Sequence, residues 1–191
     1  QEPNEISKVD ERTLTNDFVS CIAKLIKKDE IPLPIRLFHS TKENVNGSDI
    51  EIVIKIAKDK NLLFACQSKR LYVEASQKNI QNAMYKSMGH GKENLEPQIE
   101  LLVKFATKIK AFPLYLLYSY NEKEVQLDSE YSQKELFGCT AISANYIKEK
   151  LYKHQDLEKL SFKDLHPPAK PIISFNKLHG LESLKYLWCE L

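Results

Sequence analysis

The stretch from Ile50 to Ala57 does most to limit what this chain can fold into. Ile50, Ile52, Ile54 and Ile56 alternate with Glu51, Val53, Lys55 and Ala57, and β-branched residues at period two present one apolar face to a core. A turn over Asp59, Lys60 and Asn61 leads into a second run, Leu62 to Val73, through Phe64, Ala65 and Cys66 towards Leu71. Two strands joined by so short a turn predict an antiparallel hairpin. Asp49 stands at its entrance, delivered by a turn-forming stretch, Ser40 to Ser48, that holds Asn44, Asn46 and Gly47.

The flanking segments supply layers for that hairpin. From Glu11 to Lys28, Leu14, Phe18, Ile22, Leu25 and Ile26 recur at helical spacing, with Thr13 or Thr15 as the cap. Pro32 and Pro34 make Ile31 to Phe38 an extended edge or a connection. A polar, helix-compatible segment runs from Glu74 to Met88 and breaks at Gly89-His90-Gly91. Pro97 opens an amphipathic helix through Lys110, with Ile99, Leu102, Val103, Ala106 and Ile109 on its apolar face. The run Pro113 to Tyr120, PLYLLYSY, is nearly all apolar and suits a strand buried on both faces. After Asn121 come a charged loop, a helix from Ser143 to Tyr152 and a proline-rich turn at 166–171. These elements predict an α/β fold in one domain, a mixed β-sheet flanked by α-helices, with a core at about 11–121 and an extension at 122–191.

The chain has 191 residues, of which 42% are hydrophobic and 28% charged, enough apolar surface for a packed core and too much for a disordered chain. A net charge of +2 imposes no global field towards nucleic acid or membrane, so any basic surface is local. Lys55, Lys58, Lys60, Lys69, Arg70, Lys78 and Lys86 gather around the hairpin and the next segment; with Tyr72 and Tyr85 they could line a groove that tracks a phosphate backbone, diluted by Asp59, Glu74 and Glu93. The four cysteines form no CxxC or CxxH pair, which excludes an ordinary zinc site and predicts reduced thiols. No apolar run approaches the roughly 20 residues of a membrane span. The expected location is the cytoplasm, with no membrane partner.

Chemistry concentrates at one end of the hairpin. Along a strand, residues i and i+2 share a face, so Asp49 and Glu51 point one way, as do Gln67 and Lys69. An adjacent pairing brings an acid, an amide oxygen and an ammonium together. Magnesium takes hard oxygen ligands and keeps several waters; Asp49 and the Gln67 side-chain oxygen are the candidate ligands, with the Ser68 carbonyl as a third. Such a metal lowers the pKa of a bound water and offsets charge on a scissile phosphate, while Lys69, in a hydrated cleft, orients that water and stabilises the phosphorus centre. Taken singly, Asp49 is a common turn residue and Gln67-Ser68-Lys69 an ordinary solvated strand face. The order and spacing together carry the signal.

Those residues resemble the PD-(D/E)XK nuclease superfamily. GSDIEIVI and FACQSKRLY are most similar to its Mrr-like restriction endonuclease branch, where Gln commonly replaces the acid of the third motif, and the resemblance spans roughly Glu11 to Tyr120. It implies a restriction-endonuclease-like core and a metal-dependent endonuclease, using Mg2+ or Mn2+, with DNA favoured over RNA as substrate. Small anti-phage defence nucleases are a frequent setting for such domains. Residue by residue, Asp49 matches the metal-binding acid, Gln67 the variable third-motif ligand and Lys69 the lysine. Glu11 or Asp17 matches the acid of the first helix, and Glu51 is a further candidate to complete the metal site. Gln98 resembles the glutamine that some branches place against substrate, and Arg70 is a candidate substrate contact. Gln67 removes one negative charge from the site, and Ser48 stands where many members have proline. The rival expectation is a latent or inactive nuclease-fold subunit that binds nucleic acid or a protein partner in a larger complex. Many nucleases of this fold act as homodimers.

Overall fold

In the computed structural model, which describes residues 10–28, 34–72, 82–89, 96–119, 139–154 and 158–165, the alternating isoleucines form the centre of a sheet. Strand β2 (Ile50–Ala57) pairs antiparallel with β3 (Lys60–Tyr72), Ile50 opposite Cys66 and Ile54 opposite Leu62, with a bulge between Lys55 and Ala57. Ile50, Ile52 and Ile54 are buried and Ile56 is exposed. Strand β1 (Ile35–His39) lies on the far side of β2. It is the edge that two preceding prolines permit, since its outer side offers no ladder that proline would break.

On its other flank β3 runs parallel to β5 (Phe112–Tyr118), from Phe64 opposite Phe112 to Arg70 opposite Tyr118. A parallel neighbour requires a crossover, and α3 (Gln98–Ile109) lies between the two strands in the chain. Strand β6 (Cys139–Ser143) pairs antiparallel with β5, while β4 (Met84–Lys86) joins the far end of β3 and is itself paired with β7 (Lys159–Ser161). Among the described residues the result is a seven-stranded mixed sheet with helices against it, the fold class expected from the sequence. Residues past 122 contribute two of its strands, and α4 (Ala144–His154) and α5 (Phe162–Leu165) follow them.

Period-two alternation divides the interior into two cores. Helix α1 (Glu11–Lys27) sets Leu14, Phe18 and Ile22 against Ile50, Ile52, Phe64, Cys66 and Leu116 on one face. On the other, Ile99, Leu102 and Ala106 of α3 and Ile147 and Leu151 of α4 cover Ala65, Tyr85, Tyr115 and Leu117. Each large buried side chain contributes roughly 1.5–3 kcal/mol, so Phe18 and Ile22 alone hold α1 to the sheet by several kcal/mol. That anchoring fixes where Glu11, at the helix start, can reach.

Several local expectations are corrected. The cap of α1 is Asp10, whose Oδ1 accepts from the Thr13 N–H at 2.7 Å, whereas Thr15 bonds back to the Glu11 carbonyl at 2.8 Å. A carboxylate outcompetes hydroxyls here because it meets both the free N–H groups and the positive helix end. The turn before β2 contains one helical turn, α2 (Glu43–Asn46), closed by Gly47 at φ 67°. Part of the segment expected to be helix-compatible, Met84 to Lys86, is a strand; three residues are too few for alternation to show, and tertiary pairing decides. Strand β7, also three residues long, escapes sequence reading for the same reason, and β6, of five residues, is likewise decided by its pairing with β5. Helix 143–152 is present as α4, Ala144–His154. The expectations on His90, Gly91, the charged loop after Asn121 and the proline-rich turn lie outside the described residues. Cys21, Cys66 and Cys139 are free thiols, and among the described residues no helix is long and apolar enough to cross a membrane.

Candidate functional site

The β2–β3 register, continued one residue past Ile50 and Cys66, sets Asp49 opposite Gln67, and the Asp49 N–H donates to the Cys66 carbonyl at 2.8 Å. Asp49 Oδ2 accepts from the Ser68 N–H at 2.7 Å and from Gln67 Nε2 at 2.9 Å. Gln67 Nε2 also lies 3.4 Å from the Ser68 carbonyl oxygen. Asp49, Gln67 and Ser68 are thus in mutual contact. Ser48 is buried, and its Oγ lies 3.0 Å from the Ile50 carbonyl and 3.3 Å from that of Cys66. It pins the two strands where Asp49 enters.

Because β2 begins at Ile50, β3 loses that neighbour beyond Gln67, and Glu11 meets the freed strand. Its Oε2 lies 3.4 Å from Lys69 Nζ and its Oε1 accepts from the Arg70 N–H at 3.5 Å. Of the two acids on the first helix, Glu11 reaches the motif, while Asp17 is exposed. Lys69 is only 5% exposed, so the expected hydrated setting is corrected: pairing of β3 with β5 and the Glu11 carboxylate at the start of α1 enclose it. Glu51 shares the Asp49 side of β2, and partial burial raises its carboxyl above the usual range. Gln98 is held by Glu43, Nε2 to Oε1 at 3.0 Å, at the α2–α3 contact.

Burial pushes the Asp49 carboxyl up to about 6, opposed by the Ser68 N–H, raised further by Glu43 and lowered by Lys69. A carboxylate that loses hydration without a full countercharge behaves this way. Beside it, Gln67 Oε1 is buried with no hydrogen-bond partner among the described residues, an acceptor that costs free energy until something meets it. Asp49 and the Ser68 carbonyl turn hard oxygens towards the Gln67 amide, whose Nε2 lies against both; a half-turn of that amide would put Oε1 in its place and give three oxygens of the kind a small divalent cation that retains waters takes. Among the described residues no three His, Cys, Asp or Glu side chains converge as a metal cluster. Any such cation would be held by one carboxylate and neutral oxygens.

A cleft of about 290 Å³ opens over Asp49, lined by Glu11, Arg12, Thr15, His39, Ser40 and Glu43 among others. His39 and Glu43 were not singled out from the sequence; the β1–β2 register sets His39 opposite Ile50, and Glu43 comes with α2, which the same connection carries against α3. Below the cleft a chain of buried hydroxyls links α1 to the sheet. Tyr118 OH donates to Thr15 Oγ1 at 3.2 Å and lies 3.5 Å from Ser68 Oγ. No sequence signal marks this chain, because its members come from three distant elements.

No curated protein matches the chain. Seven chains of known structure do. The chain is similar to one of them, D212, a nuclease from a fusselovirus, with 15% identity, 81% of each chain covered and a TM-score of 0.38. The model of a family of unknown function, DUF6615, matches residues 1–179, and the chain belongs to that family.

Proposed function

We propose that this chain is a nuclease that hydrolyses phosphodiester bonds with Mg2+ or Mn2+, DNA being favoured over RNA, and that it acts in antiviral defence. The observation that carries the reading is a buried, undercompensated Asp49 in contact with Gln67, a side chain whose Oε1 is left without a partner among the described residues, on the strand that also carries the buried Lys69. The defence setting rests on the resemblance to small anti-phage nucleases alone.

Asp49, Gln67 and the Ser68 carbonyl would hold the cation, which supplies an acidified water and charge neutralisation at the phosphate. Lys69 Nζ, held by Glu11, presents a fixed positive charge for the extra negative charge that develops on the phosphorus centre. Glu11 positions that ammonium and shields it from bulk water. Arg70, next along β3, offers a second cation to the substrate strand.

A latent or inactive nuclease-fold subunit is favoured by a different feature. Asp49 and Lys69 already have internal partners, Ser68 and Gln67 for the carboxylate and Glu11 for the ammonium, so in this reading a partner or substrate displaces those contacts before catalysis. One experiment separates the readings: incubation of supercoiled plasmid, linear DNA and single-stranded RNA with Mg2+, Mn2+ or EDTA, wild type beside Lys69→Ala and Asp49→Asn. The nuclease reading expects metal-dependent cutting that falls by about 10²-fold or more in Lys69→Ala, the loss typical of a removed charge-stabilising group. Full turnover by that variant would remove Lys69 from the machinery. Metal binding by calorimetry without cutting would support the latent subunit, and absence of both would support the inactive one.

A further inference from the structure

Away from the site, the far half of the hairpin carries a cluster of cations. The Lys55 N–H donates to the Pro34 carbonyl at 3.0 Å, which extends the β1–β2 pairing one step past Ile35 and Ile54. Arg36 is thereby set diagonal to Lys55, on the order of 7–8 Å across the ladder. Both belong to the face opposite the buried isoleucines, and both are exposed. Asn61 stands directly opposite Lys55. The bulge between Lys55 and Ala57 bends the tip of the hairpin, and the turn that follows brings Lys58 to the same place. These side chains, with Pro34 and Val53, line a groove of about 250 Å³. Among the described residues no acid lines it, and none of its three cations makes an ion pair.

Stability alone does not account for this group. Like charges on neighbouring strands repel, and a sheet face built only to be soluble sets acids among them. Lysines also guard exposed strand edges against pairing, yet Lys55 lies on β2, which has a neighbour on each side, and Lys58 lies in the turn. The acids of the hairpin are Glu51, partly buried and four residues before Lys55, and Asp59, exposed beside Lys58; neither lines the groove. Three uncompensated cations in one groove suit a ligand whose negative charges repeat every few ångströms, as the phosphates of a nucleic acid do. The groove is also in line with the site. Asp49, Glu51, Val53 and Lys55 share one side of β2, and Lys55 lies about 20 Å from Asp49 at roughly 3.3 Å per residue. About six phosphates along one strand of a B-form duplex cover that length.

We infer that the groove of Arg36, Lys55 and Lys58 holds the phosphate backbone of the nucleic acid whose scissile bond lies over Asp49. The inference rests on the nuclease reading and deepens it: the substrate is a strand long enough to reach both places, and the hairpin tip is a second point of attachment. Asn61 adds an amide donor to the three cations. The groove reads charge and not sequence, since these groups contact phosphate.

The test is equilibrium binding of a fluorescently labelled DNA duplex and a single strand, followed by anisotropy with Ca2+ in place of Mg2+ across a salt series, beside the plasmid cleavage assay. Each phosphate contact contributes about 0.9 to the dependence of log K on log salt for duplex DNA and about 0.7 for a single strand. The double variant Lys55→Ala/Lys58→Ala is expected to weaken binding several-fold and to lower the slope by about 1.8 on the duplex or about 1.4 on the single strand. A drop on either form supports the groove and identifies the form that enters it. Lys153→Ala/Lys163→Ala is the control: it removes the same charge from exposed positions on α4 and α5, which follow the strands farthest from β1, and is expected to keep the slope. If the wild type binds and cuts but Lys55→Ala/Lys58→Ala keeps the full slope on both forms, the groove is wrong and the nuclease reading stands. An equal fall in the control makes the effect one of net charge and also overturns the groove. A slope that falls with Lys55 and Lys58 in a protein that cuts nothing keeps the groove as a nucleic-acid site and removes the nuclease reading. Absence of both binding and cutting in the wild type defeats the two together.

Discussion

Asp49 sits where stability and function pull in opposite directions. Its carboxyl titrates near 6 in the folded chain and near 3.9 in an unfolded one. The folded state therefore binds the proton more tightly, and stability rises as pH falls from above 6 towards 4. Above pH 6 the buried charge costs roughly 3 kcal/mol when no cation is present. Asp49→Asn is thus expected to match or exceed the wild-type melting temperature at pH 8 in EDTA, with the gap closing by pH 5, while losing metal binding. A lower melting temperature at pH 8 would mean that the hydrogen bonds to Ser68 and Gln67 outweigh the desolvated charge. Gly47, two positions earlier, is required for a simpler reason. It has φ 67°, and a Cβ there would lie 2.4 Å from the Gln98 carbonyl oxygen and 2.7 Å from the Leu102 nitrogen. Both are helix backbone and cannot move aside, and the left-handed conformation adds its own penalty of about 1–2 kcal/mol. Gly47→Ala is expected to lose at least about 2 kcal/mol in urea denaturation; a loss under half of that would show a loop free to shift away from α3.

Helix α1 and the hairpin meet through both apolar packing and the hydroxyl chain, and the two have different jobs. Phe18 and Ile22 supply the holding energy, whereas Tyr118, Thr15 and Ser68 fix the rotation and height of the helix above the strand. Tyr118→Phe removes one net hydrogen bond, about 1 kcal/mol, or about 2–4 °C in a chain of this size. Calorimetry is expected to show that small shift, and cleavage is expected to fall further than stability does, because Glu11 and Lys69 lose their common reference. Equal metal-dependent rates in the two proteins would reduce the chain to a structural contact. Much at this scale was legible beforehand. The isoleucine alternation, the helical spacing from Leu14 to Ile26 and the Ile99 to Ala106 stripe each describe one element's own burial, and burial periodicity is written locally. Strands β4, β6 and β7 were not legible: they are short, and their strand form depends on the neighbours that pair with them.

For the whole molecule, the sheet is completed by residues far from the motif. Ile142, Ile147, Leu151, Leu160, Phe162 and Leu165 are buried in the core beneath α3, together worth on the order of 10 kcal/mol, comparable with the entire net stability of a domain. A chain ending at Asn121 is therefore expected to show no cooperative thermal transition, although it retains every motif residue; a sharp transition with near-wild-type circular dichroism would make residues 122–191 a dispensable appendage. By itself the sequence determined the hairpin, its flanking helices, the buried strand and the residue types gathered near Asp49, since these follow from side-chain period, turn chemistry and short separation along the chain. Only the tertiary structure decided that Glu11 and not Asp17 meets Lys69, that Lys69 is enclosed, that Gln67 is left with an unsatisfied oxygen, and that Arg36 shares a groove with Lys55 and Lys58. Each of those depends on register and on the docking of elements up to about sixty residues apart, set by the summed burial of many side chains and marked by none of them singly.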